Sequence, residues 1–256
     1  MRIITGFHAI EEMLRSVQET ASPECCDRKR FQILYAKEGP RVKKILAQAQ
    51  RLAITTECTT RERLQQLAAS LPEYLRDHRG IVLVDKEDTQ KADYAHSDAI
   101  LAGLHTRERA LVVVLDSITD PHNIGAIIRS ADQFAVDAVI LPERHSAGGF
   151  HTISRSSSGA AAWVPLVYTA NLVRTVEQLK AHGFWAFGAD ACGTSLSELE
   201  FPEKVALIMG SEGAGIGRLL RKSCDFLVSI PTKGKLDSLN VSVAAGILMY
   251  EISKRH

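Results

Sequence analysis

The second half of the chain alternates short apolar runs with segments that are apolar on one side only. Leu111–Leu115 is uninterrupted apolar sequence, which is typical of a strand covered on both faces of a parallel sheet. Ile124 and Ile128 fall one helical turn apart, within a helix predicted over Asn123–Phe134. Further strands are predicted over Ala138–Leu141, Phe184–Phe187, Val205–Met209 and Phe226–Ile230, and further helices over Leu172–Leu179 and Leu239–Ile252. The alternation predicts an α/β domain with a mainly parallel sheet over residues 110–256.

The first 85 residues show the same mixture on a smaller scale. Apolar residues recur at helical spacing in Gly6–Ser16 and in Arg41–Leu52. Phe31–Tyr35 and Ile81–Val84 are rich in β-favouring residues and predict strands. We therefore expect a small α/β domain over residues 1–85. The polar stretch 86–109 is interpreted as a linker, or a partly ordered crossing, between the two domains.

Composition narrows the class of protein without fixing its partner. The chain has 256 residues, of which 45% are apolar and 24% charged, as in an ordinary globular protein. No apolar run approaches the ~20 residues of a membrane span, and the start lacks a secretory signal, so we expect a cytoplasmic protein without a membrane partner. The five cysteines are scattered without metal-binding spacing, so no metal is predicted. A net charge of +1 does not itself indicate nucleic-acid binding, and clusters such as Arg28–Arg30 also occur on solvated helices.

Unusual sequence follows three of the predicted strands, at the edge where open α/β sheets bind ligands. After the first strand, Asn123 and Arg129 flank Gly125. A glycine inside a helix costs about 1 kcal/mol relative to alanine, which indicates that something approaches it closely. Arg129 lies one turn further along, and its planar donor fork could hold a phosphate, although a solvent-facing arginine is the alternative.

The second segment, Met209–Gly217, has four glycines in eight residues. Such a run lets the backbone bend sharply and approach a ligand. Its spacings match neither the phosphate loop of nucleotide-hydrolysing enzymes nor the dinucleotide-binding fingerprint. A nucleoside pocket built from backbone groups remains open.

The third segment joins Ile230 and Pro231 to the final helix. Ser238, Asn240 and Ser242 are three polar residues where capping a helix needs one. The excess indicates a role beyond capping, although turn chemistry accounts for part of it.

Together the three segments resemble the ordered motifs of SPOUT-class RNA ribose methyltransferases. The resemblance rests on Asn-x-Gly-x-x-x-Arg at 123–129, Gly-Ser-Glu-Gly-x-Gly at 210–215, Ile-Pro at 230–231 and Ser-Leu-Asn-Val-Ser-Val-Ala at 238–244, and it covers Leu111–Ile252. Gly-Phe-His-Ala-Ile at 6–10 and His-Arg-Gly-Ile-Val at 78–82 resemble the substrate-binding domain of bacterial 23S rRNA guanosine-2′-O-methyltransferases, which is similar to small L30e-like ribosomal proteins.

The resemblance implies a C-terminal domain with a deep trefoil knot, S-adenosylmethionine as cofactor, RNA as partner and a homodimer through the knotted domain. It implies that the cofactor is bound by Met209, Gly210, Gly213, Gly188, Ile230, Pro231 and Leu239. It also implies that the catalytic residues are Asn123, Arg129, Glu212, Ser238 and Asn240.

Elementary chemistry limits what these residues can do. A ribose 2′-hydroxyl is a poor nucleophile until its proton is drawn away. Because the pKa of arginine exceeds ~12, Arg129 is a poor base, and we expect it to clamp an RNA phosphate and stabilise the developing alkoxide. Glu212, Ser238 or Asn240 would then orient the hydroxyl.

The sequence departs from the family at three places. Arg155 replaces a common lysine, Ala160–Trp163 lacks a common glutamate, and Thr232 replaces the methionine that usually follows Ile-Pro. The missing glutamate bears on dimer contacts or RNA positioning rather than on activity.

Three alternatives compete with methylation of a 23S rRNA guanosine. A tRNA substrate is the near variant. A non-catalytic RNA-binding or assembly factor of the same fold is disfavoured, because it needs no complete set of catalytic residues. A Rossmann-type dinucleotide enzyme ranks last, because the sequence after the first strand, Asp116–Asp120, lacks the required glycines.

Overall fold

The structure is a computed structural model that describes residues 2–19, 30–71, 73, 76–86, 89–143, 157, 159–235 and 238–254. Arg28, Lys29, Arg155 and two of the five cysteines, Cys25 and Cys26, lie outside these residues. The chain forms two compact units: residues 1–92 with 148–163, and residues 93–147 with 164–256. Within the described part of the chain, no helix has both the length and the apolar character that a bilayer span requires.

The first unit is built on a four-stranded sheet. Its strands are β1 (Arg2–Thr5), β2 (Phe31–Tyr35), β3 (Thr55–Cys58) and β4 (Ile81–Asp85), in the order β1-β4-β2-β3. The pair β2–β3 is parallel, and β4 runs antiparallel to both β1 and β2. Its helices are α1 (Phe7–Glu19), α2 (Pro40–Arg51) and α3 (Arg61–Ala68). The predicted strand over 31–35 is confirmed without change, whereas β1, β3 and α3 are additional.

Helices cover both faces of this sheet, which explains why all of β4 is buried. Alternate residues of a strand point to opposite faces. Ile81 and Leu83 pack with α1 and α2 in one cluster, and Val82 and Val84 pack with α3 in another.

A segment from the middle of the chain completes the first unit. Ala160–Ala162 form a short 3₁₀ helix, and Ser157 beside it is only 1% exposed, with its Oγ accepting from the Ala161 N–H at 3.2 Å. Trp163 Nε1 donates to Glu12 Oε2 at 2.9 Å. The stretch that lacks the family's glutamate therefore packs against α1, which the predicted division at residue 85 did not include.

The second unit is a six-stranded parallel sheet covered by helices, so the predicted architecture of the C-terminal half is confirmed. The strand order is β10-β8-β9-β5-β6-β7. The strands are β5 (Ala110–Leu115), β6 (Ala138–Pro142), β7 (Leu166–Thr169), β8 (Trp185–Ser195), β9 (Lys204–Met209) and β10 (Phe226–Ser229). The helices are α5 (Pro121–Gln133), α6 (Leu172–Ala181), α7 (Arg218–Ser223) and α8 (Val241–Ser253).

Helix α4 (Thr89–His105) occupies most of the stretch predicted as a linker. Leu104, near its end, is 2% exposed and belongs to the core of the second unit, together with Val112, Ile140 and Ala206 of the central strands. Polar and apolar residues are mixed along α4, so the sequence pattern did not reveal this apolar anchor.

Two histidines stack at the amino-terminal edge of this sheet. The rings of His105 and His182 lie 3.5 Å apart between centroids, at 6°. Lys204 Nζ donates to the carbonyl oxygens of both residues at 3.1 Å, which ties the ends of α4 and α6 to the start of β9. Burial, the His182 ring and the Lys204 ammonium all lower the pKa of His105 from its usual 6.5.

We expect the stability of the protein to fall as pH drops below about 6.5. The unfolded chain protonates His105 more readily than the folded chain does, so this group favours folding above its unfolded pKa and loses that contribution in acid. His105→Phe keeps an aromatic ring for the stack but cannot titrate. Urea denaturation between pH 8 and 5 should give a shallower decline for this variant, and equal declines would contradict the prediction.

Candidate active site

A cavity of about 620 Å³ opens beside the middle of β8 and the ends of β9 and β10. Its walls come from the middle of β8, from the ends of β9 and β10 with the residues that follow them, and from the first turns of α8. The described lining residues are Ala189, Asp190, Ala191, Met209, Gly210, Ser211, Glu212, Gly213, Ala214, Gly215, Val228, Ser229, Ile230, Thr232, Ser238, Leu239, Val241, Ala244 and Leu248. The cavity thus joins the second and third segments that the sequence marks as unusual.

The glycine-rich loop folds back on itself tightly. Ser211 and Gly215 exchange backbone hydrogen bonds of 3.1 and 2.9 Å. A Cβ on Gly210 would lie 2.1 Å from the carbonyl carbon of Gly215, so no side chain fits there. Asp116 fixes the far end of the loop, because its Oδ2 accepts from the Gly217 N–H at 2.7 Å. Asp116 follows β5, and its role was not predicted.

A polar cluster of Asn123, Glu212 and Asn240 joins all three segments. Glu212 Oε1 accepts from Asn123 Nδ2 at 3.1 Å and from Asn240 Nδ2 at 2.7 Å. Asn240 Nδ2 also lies 3.0 Å from Asn123 Oδ1. One carboxylate oxygen therefore orients both amides.

Asn240 also caps α8, as the sequence allowed. Its Oδ1 accepts from the Ser242 N–H at 3.0 Å and from the Ser242 hydroxyl at 2.6 Å. The same amide therefore begins the helix with its oxygen and reaches Glu212 with its nitrogen. Capping and the contact with Glu212 therefore explain two of the three polar residues in this segment, Asn240 and Ser242. They do not explain the third, Ser238.

The predicted site residues fall into three groups. Seven line the cavity: Met209, Gly210, Glu212, Gly213, Ile230, Ser238 and Leu239. Asn123 and Asn240 are joined to it through Glu212. Gly188, Pro231 and Arg129 are outside its described lining.

Gly188 has a packing role instead. A Cβ there would approach Cys224 Sγ to 2.8 Å and Ile216 Cδ1 to 2.9 Å. The glycine therefore lets β8 pack closely against the loop and α7, beside the cavity rather than in its wall.

Arg129 stands apart from the polar cluster. It is exposed on α5, about 9 Å along the helix axis from Asn123, and no hydrogen bond or ion pair joins it to a residue that the structure describes. Its guanidinium is therefore available to a ligand and takes no part in the hydrogen bonds of the polar cluster.

The charged groups in the cavity wall are acidic. Asp190 and Glu212 contribute carboxylates, and no lysine or arginine is among the described lining residues. The Cys192 N–H, together with Arg221, holds the pKa of Asp190 below its usual value despite partial burial. Among the described residues, no group of three histidine, cysteine or acidic side chains is arranged to hold a metal. The cavity suits a ligand that carries positive charge and hydroxyl donors.

Family models match both halves of the chain. Residues 110–250 match the SpoU rRNA methylase family, and residues 3–84 match an RNA 2′-O ribose methyltransferase substrate-binding domain. The chain belongs to the SpoU family of RNA methyltransferases.

Individual relatives agree over nearly the whole length. The chain is 35% identical to the 23S rRNA (guanosine-2′-O-)-methyltransferase RlmB of Coxiella burnetii, over 100% of this chain and 96% of that protein. It is 32% identical to the putative TrmH family tRNA/rRNA methyltransferase YacO of Bacillus subtilis, over 98% and 95%. The crystal structure of the SpoU methyltransferase AviRb from Streptomyces viridochromogenes, in complex with AdoMet, has the same fold, with a TM-score of 0.73, 24% identity and coverage of 99% and 89%.

Proposed function

We propose that this protein transfers a methyl group from S-adenosylmethionine to the ribose 2′-hydroxyl of a guanosine in 23S rRNA. The observation that carries the proposal is the cluster of Asn123, Glu212 and Asn240 at the edge of an acidic cavity built from a glycine loop. The matching substrate-binding domain at residues 3–84 and the relatives named for this activity support RNA as the substrate.

The cavity fits the cofactor in size, lining and charge. Apolar Leu239 and Leu248 line the cavity together with the glycine loop, a combination that suits an adenine ring. When bound, the cofactor supplies an electrophilic methyl group on a positively charged sulfur, and the Glu212 carboxylate in the wall favours that charge. The loop, Ile230 and Leu239 would hold the cofactor.

The polar cluster positions the nucleophile. Glu212 is engaged through one carboxylate oxygen by two amides, so it holds Asn123 and Asn240 rigidly for a ribose. Ser238 has no hydrogen bond to the described residues, and its hydroxyl is therefore free to accept the proton of the 2′-hydroxyl in a hydrogen bond. Alignment of this kind lowers the barrier of a group transfer substantially.

Arg129 acts on the RNA rather than on the cofactor. Its exposed guanidinium can hold a phosphate in two parallel hydrogen bonds and stabilise the negative charge that develops on the attacking oxygen. This role agrees with its separation from the cavity wall and with its lack of a partner among the described residues.

The first unit binds RNA through lysines of α2. Arg41 is taken by Glu11, whose Oε2 it contacts at 2.8 Å, and it holds the pKa of Glu11 below the usual value. Lys43 and Lys44 are exposed in the first half of the helix and, like Arg51 at its end, remain available to phosphates.

We expect Lys43→Ala/Lys44→Ala to weaken RNA binding about tenfold and to reduce the salt dependence of the binding constant by about two units on logarithmic axes, because two phosphate contacts are lost. Filter binding at several salt concentrations measures both. Gln50→Ala, exposed on the same helix, is the control. An unchanged salt slope in the double variant would contradict this role.

We also propose a homodimer through the second unit. Val243 and Tyr250 lie seven residues apart on α8 and are 50% and 48% exposed, although Ala245, Leu248 and Met249 of the same helix are buried. An apolar residue two turns from another shares its side of a helix, so α8 presents a second apolar face for another copy of the chain.

We expect Val243→Asp/Tyr250→Asp to convert the dimer to a monomer in sedimentation at micromolar concentration, since each change would bury an unpaired charge in the interface. Gln178→Asp adds the same charge at an exposed position of α6 and should leave the dimer intact. A double variant that sediments as the wild type would exclude this face.

The family resemblance supports three further elements of the proposal. The C-terminal domain would be threaded as a trefoil knot, whose region would include the glycine loop and the segment 230–240. The first unit would share the L30e-like fold of small ribosomal proteins. An rRNA substrate would place the protein in the cytoplasm.

The substrate is tested by offering the protein a mixture of cellular RNAs and finding which of them accepts the methyl group. Total RNA from cells that lack the gene is incubated with the protein and radiolabelled S-adenosylmethionine, and the RNA is separated by size. Label in 23S rRNA supports the proposal. Label in tRNA would favour the tRNA variant, and no label in any RNA would favour the non-catalytic RNA-binding factor.

A further inference from the structure

An irregularity in β8 forms one wall of the cavity. Phe187 and Gly188 pair with Phe226 and Leu227 of β10, but the next pair is Thr194 with Val228, so residues 189–193 bulge out of the ladder. A bulge of this kind re-aims the side chains that it contains.

Two contacts fix where the bulge ends. A Cβ on Gly193 would lie 2.6 Å from the carbonyl carbon and oxygen of Leu227, so only glycine lets the strand return this closely to β10. Ser229 Oγ donates to the Gly193 carbonyl oxygen at 2.8 Å. As a result Ala189, Asp190 and Ala191 line the cavity.

The carboxylate of Asp190 is held in a defined orientation. Its Oδ1 accepts from the Cys192 N–H at 2.9 Å, and its Oδ2 accepts from Arg221 Nε at 3.0 Å. The Asp190 side chain is 24% exposed to solvent. Each carboxylate oxygen has two acceptor sites, so each retains one after these bonds. The Cys192 N–H and Arg221 also keep the group ionised, because they lower its pKa.

We propose that Asp190 accepts a hydrogen bond from a ribose hydroxyl of the cofactor, and that Arg221 is the positioning residue that orients this carboxylate. The inference rests on the proposed function. Glu212, the other carboxylate of the wall, is already engaged by Asn123 and Asn240.

The ion pair explains why the ligand group is a hydroxyl rather than the cofactor's ammonium. Arg221 balances the charge of Asp190, so the pair presents an acceptor oxygen with little net charge. Such a group attracts a neutral donor well and a cation weakly. Acidic residues bind ribose hydroxyls in the same way in dinucleotide-binding folds.

Calorimetric titration of the full-length protein tests this assignment. The probes are S-adenosylhomocysteine and its 2′-deoxy and 3′-deoxy analogues. Asp190→Asn has nearly the same shape and should bind S-adenosylhomocysteine about tenfold more weakly, since a hydrogen bond to a charged acceptor is replaced by one to a neutral amide. For the wild type, one of the two deoxy analogues should bind about tenfold more weakly than S-adenosylhomocysteine does. That analogue should bind Asp190→Asn and the wild type with the same affinity, because it lacks the hydroxyl that Asp190 accepts from.

The role of Arg221 is tested by the same titration in the wild type and in Asp190→Asn. Arg221→Gln should weaken binding in the otherwise wild-type protein but have no further effect when combined with Asp190→Asn. As the pH is lowered, the Arg221→Gln single variant should lose affinity at a higher pH than the wild type does, because Asp190 becomes easier to protonate. Lys222→Ala, on the next residue of α7 and outside the described lining of the cavity, should change nothing. A merely structural Arg221 would lower affinity equally in both backgrounds, which would overturn its positioning role.

A failure of the Asp190 assignment can be distinguished from a failure of the proposed function. If Asp190→Asn binds S-adenosylhomocysteine as tightly as the wild type, or weakens all three probes equally, the assignment of Asp190 is wrong while the proposed function stands. If the wild type binds none of the three probes, the proposed function fails and this inference fails with it.

Discussion

Gly210→Ala should abolish cofactor binding and destabilise the second unit. The added methyl group would lie 2.1 Å from the Gly215 carbonyl carbon and 2.3 Å from the Ile216 nitrogen, and backbone cannot move aside as a flexible side chain can. The loop must open, which breaks the Ser211–Gly215 hydrogen bonds that shape the cavity wall. We expect a loss of about 1–3 kcal/mol in unfolding free energy and a loss of at least about 100-fold in affinity for S-adenosylhomocysteine.

Denaturant titration and calorimetry measure the two effects. Gly234→Ala is the matched control, because a Cβ there meets open space, and it should leave stability and affinity unchanged. Leu239→Arg separates binding from folding: Leu239 lines the cavity and is 37% exposed, so the arginine should block the ligand while the fold persists. Wild-type affinity in Gly210→Ala would contradict the structure of the loop.

Arg129→Ala should lower the turnover of RNA methylation by about 100- to 1000-fold, the usual effect of removing one donor that stabilises charge in a transition state. Because Arg129 is exposed and joined to no described residue, stability and affinity for S-adenosylhomocysteine should remain those of the wild type. Arg129→Lys should rescue only part of the turnover, since an ammonium keeps the charge and loses the planar fork.

Steady-state kinetics with saturating cofactor measures the effect of Arg129. Gln133→Ala, exposed one turn further along α5, is the control and should turn over normally. Wild-type turnover in Arg129→Ala would remove this residue from the mechanism. A parallel loss of cofactor affinity would mean that Arg129 acts on the pocket and not on the RNA.

The sequence predicts the second unit well because its strands are covered on both faces. Such strands are continuous apolar runs, and β5 and β9 are recognisable for that reason. The strands that were missed lack this signal. All four residues of β3, Thr55–Cys58, are exposed, and β7 is only four residues long. Helix α4 was interpreted as a linker because its polar and apolar residues are mixed and do not form a clear apolar face.

The site was predictable where strand ends bring residues together. Asn123 follows β5, Glu212 follows β9 and Asn240 follows β10, so one edge of one sheet gathers all three, and the structure joins them by hydrogen bonds. Asp190 was missed, because its place depends on a bulge. The sequence signal was the pair Gly188 and Gly193 within one strand, since glycine inside a strand marks a bulge or a close approach.

Nucleoside analysis of the methylated RNA tests the central claim most directly. The RNA is methylated by the purified protein, hydrolysed with alkali and separated by mass spectrometry. Alkaline cleavage needs a free 2′-hydroxyl, so methylation of the ribose leaves an uncleaved dinucleotide. A single alkali-resistant product that contains 2′-O-methylguanosine is the expected result. A methyl group on a base, or complete cleavage of labelled RNA into mononucleotides, would contradict ribose methylation.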